Sequence, residues 1–188
     1  MDSQRTPNAL VRRTVRIACT GVLSLLVVAT VCRSASAADE LEIFGWIEHA
    51  EVGADGKALP MKAKLDSGAR SSSLHATNIE RFEKDGERWI RFSVAWEDKK
   101  SQDRIDPVVF ERPWVDDVLI KRHRRDSHKR PVVEMVICLG GERRAIEVNL
   151  IDRGRFLYPL LLGRRTLAGW GLIDPGRTFL QSETCPAD

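Results

Sequence analysis

The 188-residue chain lacks most signatures that would name a chemistry outright. It has no His-Glu-x-x-His pair, which excludes the usual helical zinc-hydrolase motif. No glycine-rich loop of the phosphate-cradling type occurs, so nothing supports a nucleotide-driven reaction. No nucleophile elbow frames Ser71 to Ser73, which argues against a Ser-His-Asp hydrolase built on them. Repeats and low-complexity tracts are absent, and almost no segment has helical periodicity. Cysteine is scarce. Two of the four lie near the N-terminus, and Cys138 and Cys185 alone make no disulfide framework. In an oxidising compartment they could pair, or each could be a small buried apolar residue.

What is present begins with a leader. Arg5, Arg12, Arg13 and Arg16 precede an apolar run, Ile17 to Val31, and Ala35-Ser36-Ala37 is a small-x-small site. The pattern predicts a signal peptide over 1–37, cleaved after Ala37, and export to the periplasm or beyond. Its uncharged run is short for a spanning helix, so membrane attachment is expected only if the leader stays uncleaved. The leader also carries the basic excess. Of 30 Lys+Arg and 27 Asp+Glu, five arginines and one aspartate lie before Ala38, leaving 25 and 26 beyond it. A near-neutral mature chain gives no reason to invoke nucleic acid. Residues 38–188 are the size of one domain.

Period-two alternation dominates that domain. Strands are expected over 41–48, 59–65, 88–96, 107–111, 115–120, 131–139, 144–151, 158–162 and 172–180. Turns fall at Ala54-Asp55-Gly56-Lys57, Lys84-Asp85-Gly86-Glu87 and Gly140-Gly141, with one helical turn at 164–168. Trp89, Ile90, Phe92, Val94 and Trp96 are read as one apolar face, and the five tryptophans as mostly core. Glu97 to Asp106 reads as a polar loop and Lys121 to Arg130 (KRHRRDSHKR) as a solvated, charge-dense connection. The result is an all-β barrel or sandwich.

One stretch raises a chemical question. In AKLDSGARSSSL (63–74) an alternating strand delivers Asp66 into Ser67-Gly68-Ala69. Alone, such a sequence is usually a turn. Gly68 allows a sharp bend that can also present the carboxylate at a cleft. Two facing carboxylates sharing a proton can do acid and base work in one step. The chain has no second Asp-Ser/Thr-Gly, so a partner for Asp66 must come from a second copy across a two-fold axis.

Leu65-Asp66-Ser67-Gly68-Ala69 resembles the Asp-Ser/Thr-Gly-Ala signature of retropepsin-like aspartic endopeptidases. Leu160-Leu161-Leu162-Gly163-Arg164 resembles that fold's apolar-apolar-Gly-Arg segment. The longer run from Lys62 to Ala76, Arg130-Pro131-Val132 and Tyr158-Pro159 are similar to a bacterial branch once labelled an ATP-dependent zinc protease. The resemblance implies a closed acid-protease barrel with one lobe per chain, active as a homodimer on peptide or protein, with no cofactor. Asp66 would be the catalytic aspartate. Ser67 would brace the paired loops, and Gly68 and Ala69 would shape them. Leu162, Gly163 and Arg164 would support the loop from beside it. Ala69 offers no side-chain donor to the carboxylate, which predicts a raised pKa and activity at mildly acidic to neutral pH. Arg70 is expected to meet acidic side chains or a free carboxylate of substrate. Two segments compete as flap, the hairpin at Gly86 and the loop 97–106.

Other readings stand beside this one. The same barrel could bind peptides or cell-envelope ligands without cleaving them. A metal-dependent hydrolase would have to draw on His75, His123, His128 and Cys138, which lack the spacing of a tight ligand set, so no metal site is assigned.

Overall fold

A computed structural model describes residues 41–97, 104–122, 125–182 and 185. The expected leader and its expected cleavage site, residues 98–103 of the expected polar loop, and His123 lie outside them. Period-two alternation becomes strand almost throughout: β1 (Glu42–Gly45), β2 (Ile47–Ala54), β3 (Lys57–Asp66), β4 (Ser72–His75), β5 (Thr77–Lys84), β6 (Glu87–Glu97), β7 (Arg104–Pro113), β8 (Asp116–Arg122), β9 (Arg125–Leu139), β10 (Glu142–Ile151), β11 (Leu160–Gly163) and β12 (Gly171–Asp174). A single helical turn, α1 (Arg164–Leu167), joins β11 towards β12.

Six strands run in the order β10-β4-β11-β3-β2-β9, and β9 pairs back onto β10 to close a barrel. Closure removes the sheet edges that would otherwise template aggregation. Inward residues fill the interior: Val52, Ala63, Leu65, Leu74, Met135, Ile137, Val148, Leu150, Leu160 and Leu162 are all buried. Each larger one contributes about 1.5–3 kcal/mol over its exposed state. Strands β5, β6 and β7 form a separate antiparallel sheet, and Ile90, Phe92, Val94 and Phe110 bring it into the same core. The expected all-β barrel is therefore the fold.

Several details differ from the sequence reading. The first predicted strand breaks at Trp46 into β1 and β2. Trp89 faces away from Ile90, Phe92 and Val94, and lies half-buried under the Lys84 ammonium, 4.6 Å from its ring. Only Trp170 is a buried tryptophan. Residues 121–122 and 125–130 are not loop. Their backbone forms the end of β8 and the start of β9, with Ile120 opposite His128 and Arg122 opposite Arg125. The backbone of residues 125–131 pairs with β8 alone, while the Arg130 side chain reaches Asn149 on β10.

The last predicted strand shortens to β12, which pairs in parallel with β1. Beyond it the chain is held by a buried carboxylate. Glu48 accepts N–H bonds from Gly45 (2.6 Å), Leu180 (2.9 Å) and Gln181 (3.4 Å). Those donors are what make a fully buried glutamate tolerable. A disulfide between Cys138 on β9 and Cys185 ties the same segment down.

The disulfide spans 47 residues of sequence, and closing such a loop is worth about 2–4 kcal/mol. Cys138→Ser should lower the unfolding free energy obtained from urea melts by that amount without changing the far-ultraviolet circular dichroism. The same shift should follow from reducing the wild-type protein.

Candidate active site

Asp66 ends β3, and β11 runs parallel beside it in a register that sets Gly163 opposite Asp66 and Leu162 opposite Leu65. Leu162 is fully buried and anchors the pair. A Cβ on Gly163 would stand 2.7 Å from the Ser71 carbonyl carbon and oxygen, so only glycine lets the two segments meet. The contact is stitched on both sides. Gly163 N donates to Ser72 Oγ (3.1 Å), and that hydroxyl pairs with Thr166 Oγ1 (2.7 Å). Arg164 N and Arg165 N donate to the carbonyls of Ala69 (2.9 Å) and Arg70 (3.3 Å). Arg164 Nη1 reaches the Gly68 carbonyl at 3.3 Å.

The loop folds back on the carboxylate. Oδ1 of Asp66 accepts the N–H groups of Gly68 (3.0 Å) and Ala69 (3.2 Å), and Oδ2 accepts Lys64 Nζ (3.1 Å). Ala69 thus serves through its backbone, where its side chain cannot. Partial burial pushes the Asp66 carboxyl up. The Lys64 ammonium and the two loop amides outweigh it and hold the group below its ordinary value. For the single chain this reverses the rise expected from alanine at 69. Asp66 keeps about a quarter of its side-chain surface exposed, so it remains open to a ligand or a second copy.

Ser67 is exposed, and its hydroxyl bonds to no described residue of its own chain. The hydroxyl bracing within one chain is Ser72, which sequence reasoning passed over. Arg70 is also exposed and pairs with no described carboxylate. It lines a groove of about 800 Å³ together with Ser71, Asn149 and Arg165, and Asp116 to Leu119 of β8 form the facing wall.

A second layer lies against β4. Asn149 Nδ2 donates a short bond to the Ser72 carbonyl, and its Oδ1 accepts Arg130 Nη1 at 3.1 Å. Arg153 is 5% exposed, and its Nη1 donates to Ser73 Oγ (2.7 Å) and its Nε to the Tyr158 carbonyl (3.0 Å). Burial pulls its guanidinium down to about 10; Arg130 adds to this and Asp66 opposes it. The backbone N–H of Arg153 donates to His75 Nδ1 at 2.9 Å. His75 is therefore an acceptor in this layer, and Cys138 is bound in the disulfide. Among the described residues no three His, Cys, Asp or Glu side chains gather as metal ligands.

A family model described as RimB-like, retropepsin-like aspartic endopeptidase RimB, matches residues 43–184. Two curated proteins, each named "Probable alpha-L-glutamate ligase", are similar over part of their length. The one from Shewanella pealeana is 38% identical over 125 residues, 65% of this chain and 26% of that protein. The one from Desulfotalea psychrophila is 35% identical over 130 residues, 69% of this chain and 26% of that protein. The chain spans about a quarter of the length of these curated relatives. A solved structure of a Legionella pneumophila protein of unknown function is 41% identical with a TM-score of 0.60. The match covers 76% of this chain and 98% of that one.

The His75 layer predicts an acid response. Burial holds the imidazole pKa below its ordinary value; Asp152, 3.6 Å away, opposes this and Arg153 reinforces it. A base whose folded pKa is depressed contributes its full stability above the unfolded value of about 6.5 and loses it as pH falls towards the folded value. Urea midpoints should therefore drop as pH falls below about 6.5. His75→Gln, which does not titrate, should flatten that part of the profile.

Proposed function

The chain belongs to this RimB-like family of retropepsin-like aspartic endopeptidases, and on that premise we propose that it is an exported endopeptidase built as a homodimer. Asp66 of each copy supplies half of the dyad. One carboxylate takes a proton from a water molecule, whose oxygen attacks the scissile carbonyl carbon. The other, protonated, carboxyl gives its proton to the carbonyl oxygen. Collapse of the tetrahedral intermediate, with protonation of nitrogen, breaks the C–N bond. The single observation that carries this reading is Asp66 set against Gly163, with loop amides aimed at one carboxylate oxygen.

Further features support the finer parts. The free hydroxyl of Ser67 suits a bond across a two-fold axis. Leu41, Ile43 and Leu172 leave apolar surface on and beside the β1–β12 ribbon, which suits burial against a second copy. The β8–β9 hairpin walls the groove beside the loop and takes the part of flap in this proposal. The Cys138–Cys185 disulfide suits an oxidising compartment, in keeping with the leader at 1–37.

The substrate class follows from charge. The groove carries Arg70, Arg144 and Arg165 and also Asp116, Asp117 and Glu147, and of its arginines Arg70 and Arg165 pair with no described carboxylate. They suit a peptide with acidic side chains. The ligase name belongs to the longer relatives, and its glutamate matches that preference. The reading is therefore an endopeptidase for glutamate-rich peptide, bound extended as an added strand.

Asp66→Asn should abolish cleavage of a glutamate-rich peptide by at least about a thousandfold, with melting temperature and dimer mass unchanged. Specific activity of the wild type should fall on dilution as dimers dissociate. Binding by the wild type with no cleavage at any pH would favour a non-catalytic module. Arg70→Gln with Arg165→Gln should raise KM for the acidic peptide about tenfold or more and flatten its salt dependence. A neutral peptide should show neither change.

A further inference from the structure

Ala69 brings no side-chain donor to the carboxylate, and another residue fills that place. Residues two apart on a strand share a face. Lys64 and Asp66 do so on β3, and Lys64 Nζ lies 3.1 Å from Oδ2. Both loop amides fall on Oδ1, from Gly68 and Ala69. The two oxygens are therefore unlike: one is held by neutral backbone, the other by an ammonium.

We propose that Lys64 is a positioning residue of the dyad, which orients Oδ2 of Asp66 and so sets the pH range of cleavage. The inference rests on the endopeptidase reading above.

The charges around Asp66 in its own chain are cationic. Arg164 on α1 lies against the loop through the Gly68 carbonyl. Arg153, after β10, is buried and bonded to Ser73 and Tyr158, with Asp66 within reach of its field. Arg70 stands exposed in the loop itself. The opposing charge is the Asp66 of the second copy. Two facing carboxylates titrate as a pair, and their repulsion raises the upper constant. A lysine beside each of them lowers both constants and moves the whole active range towards acid, with one proton still shared by the pair between those constants. The lysine side chain is 39% exposed, so as a surface ion pair it adds little to stability. Its effect belongs in the pH profile, which a merely structural lysine would leave in place.

The test compares wild type, Lys64→Met, Lys64→Gln and Lys64→Arg on an internally quenched glutamate-rich peptide, with kcat/KM followed against pH. Both limbs should move to higher pH by about one unit in the methionine and glutamine variants, and arginine should bring them back towards wild type. Carboxyl carbon NMR of Asp66 should show the same rise in its midpoint, with no need for turnover. A folded Lys64→Met protein with unmoved limbs and an unmoved Asp66 midpoint overturns the proposal; if methionine prevents folding, glutamine decides by the same criterion. Failure of the underlying reading looks different. Either the wild type would cleave nothing at any pH or Asp66→Asn would cleave as well as wild type, while the NMR midpoint would continue to report on Lys64.

Discussion

The parallel pairing of β3 with β11 is the constraint on which the site depends. It puts Gly163 beside Asp66 and leaves room there for nothing larger than hydrogen. Because the backbones meet so closely, N–H groups after Gly163 can reach carbonyls of the Asp66 loop. The carbonyls of Ala69 and Arg70 are thereby occupied, the Gly68 N–H turns to the carboxylate, and the Ala69 N–H is shared between the carboxylate and the Asp66 carbonyl. One absent side chain thus fixes the direction of another side chain nearly a hundred residues away.

Around this pairing the chain assembles positive charge in layers. Lys64 touches the carboxylate directly. Arg153 and Arg130 lie behind β4, held by Ser73, Tyr158 and Asn149. Arg70 and Arg165 face the groove. A buried cation is costly unless hydrogen-bonded, and the acceptors that bond Arg153 here are a hydroxyl and a carbonyl. In the proposed dimer two carboxylates enter the same region, and an acidic substrate would follow the same field.

Much of this was legible in sequence, for identifiable reasons. Alternation marked the barrel strands because each has one face in the core. The pairing of the Asp66 loop with Gly163 was legible through the resemblance of both segments to the retropepsin-like signature, since alone the Asp66 stretch reads as a turn. The strand backbone at 121–122 and 125–130 escaped notice because it pairs only between β8 and β9 and its charge-dense sequence shows no alternation. Lys64 escaped for the opposite reason: a lysine on an alternating strand reads as solvent-facing, and only the fold shows that its neighbour on that face is Asp66. Ser72, Asn149 and Arg153 form partnerships across 77 to 91 residues of sequence, which no local pattern reveals. The aspartate was expected to be raised, from the missing hydroxyl at 69. That expectation concerned the paired carboxylates; within one chain Lys64 and the loop amides, which it did not count, act in the opposite direction.

The central claim is that one chain holds half of an active site. A crystal structure of the protein grown at the concentration where it is dimeric tests it most directly, through the distance between the two Asp66 carboxylates. The account predicts a gap of about 3 Å or one bridging water, with the two Ser67 hydroxyls crossing the axis beside it. Two carboxylates pointing apart into solvent, or a dimer formed through another face, would contradict it.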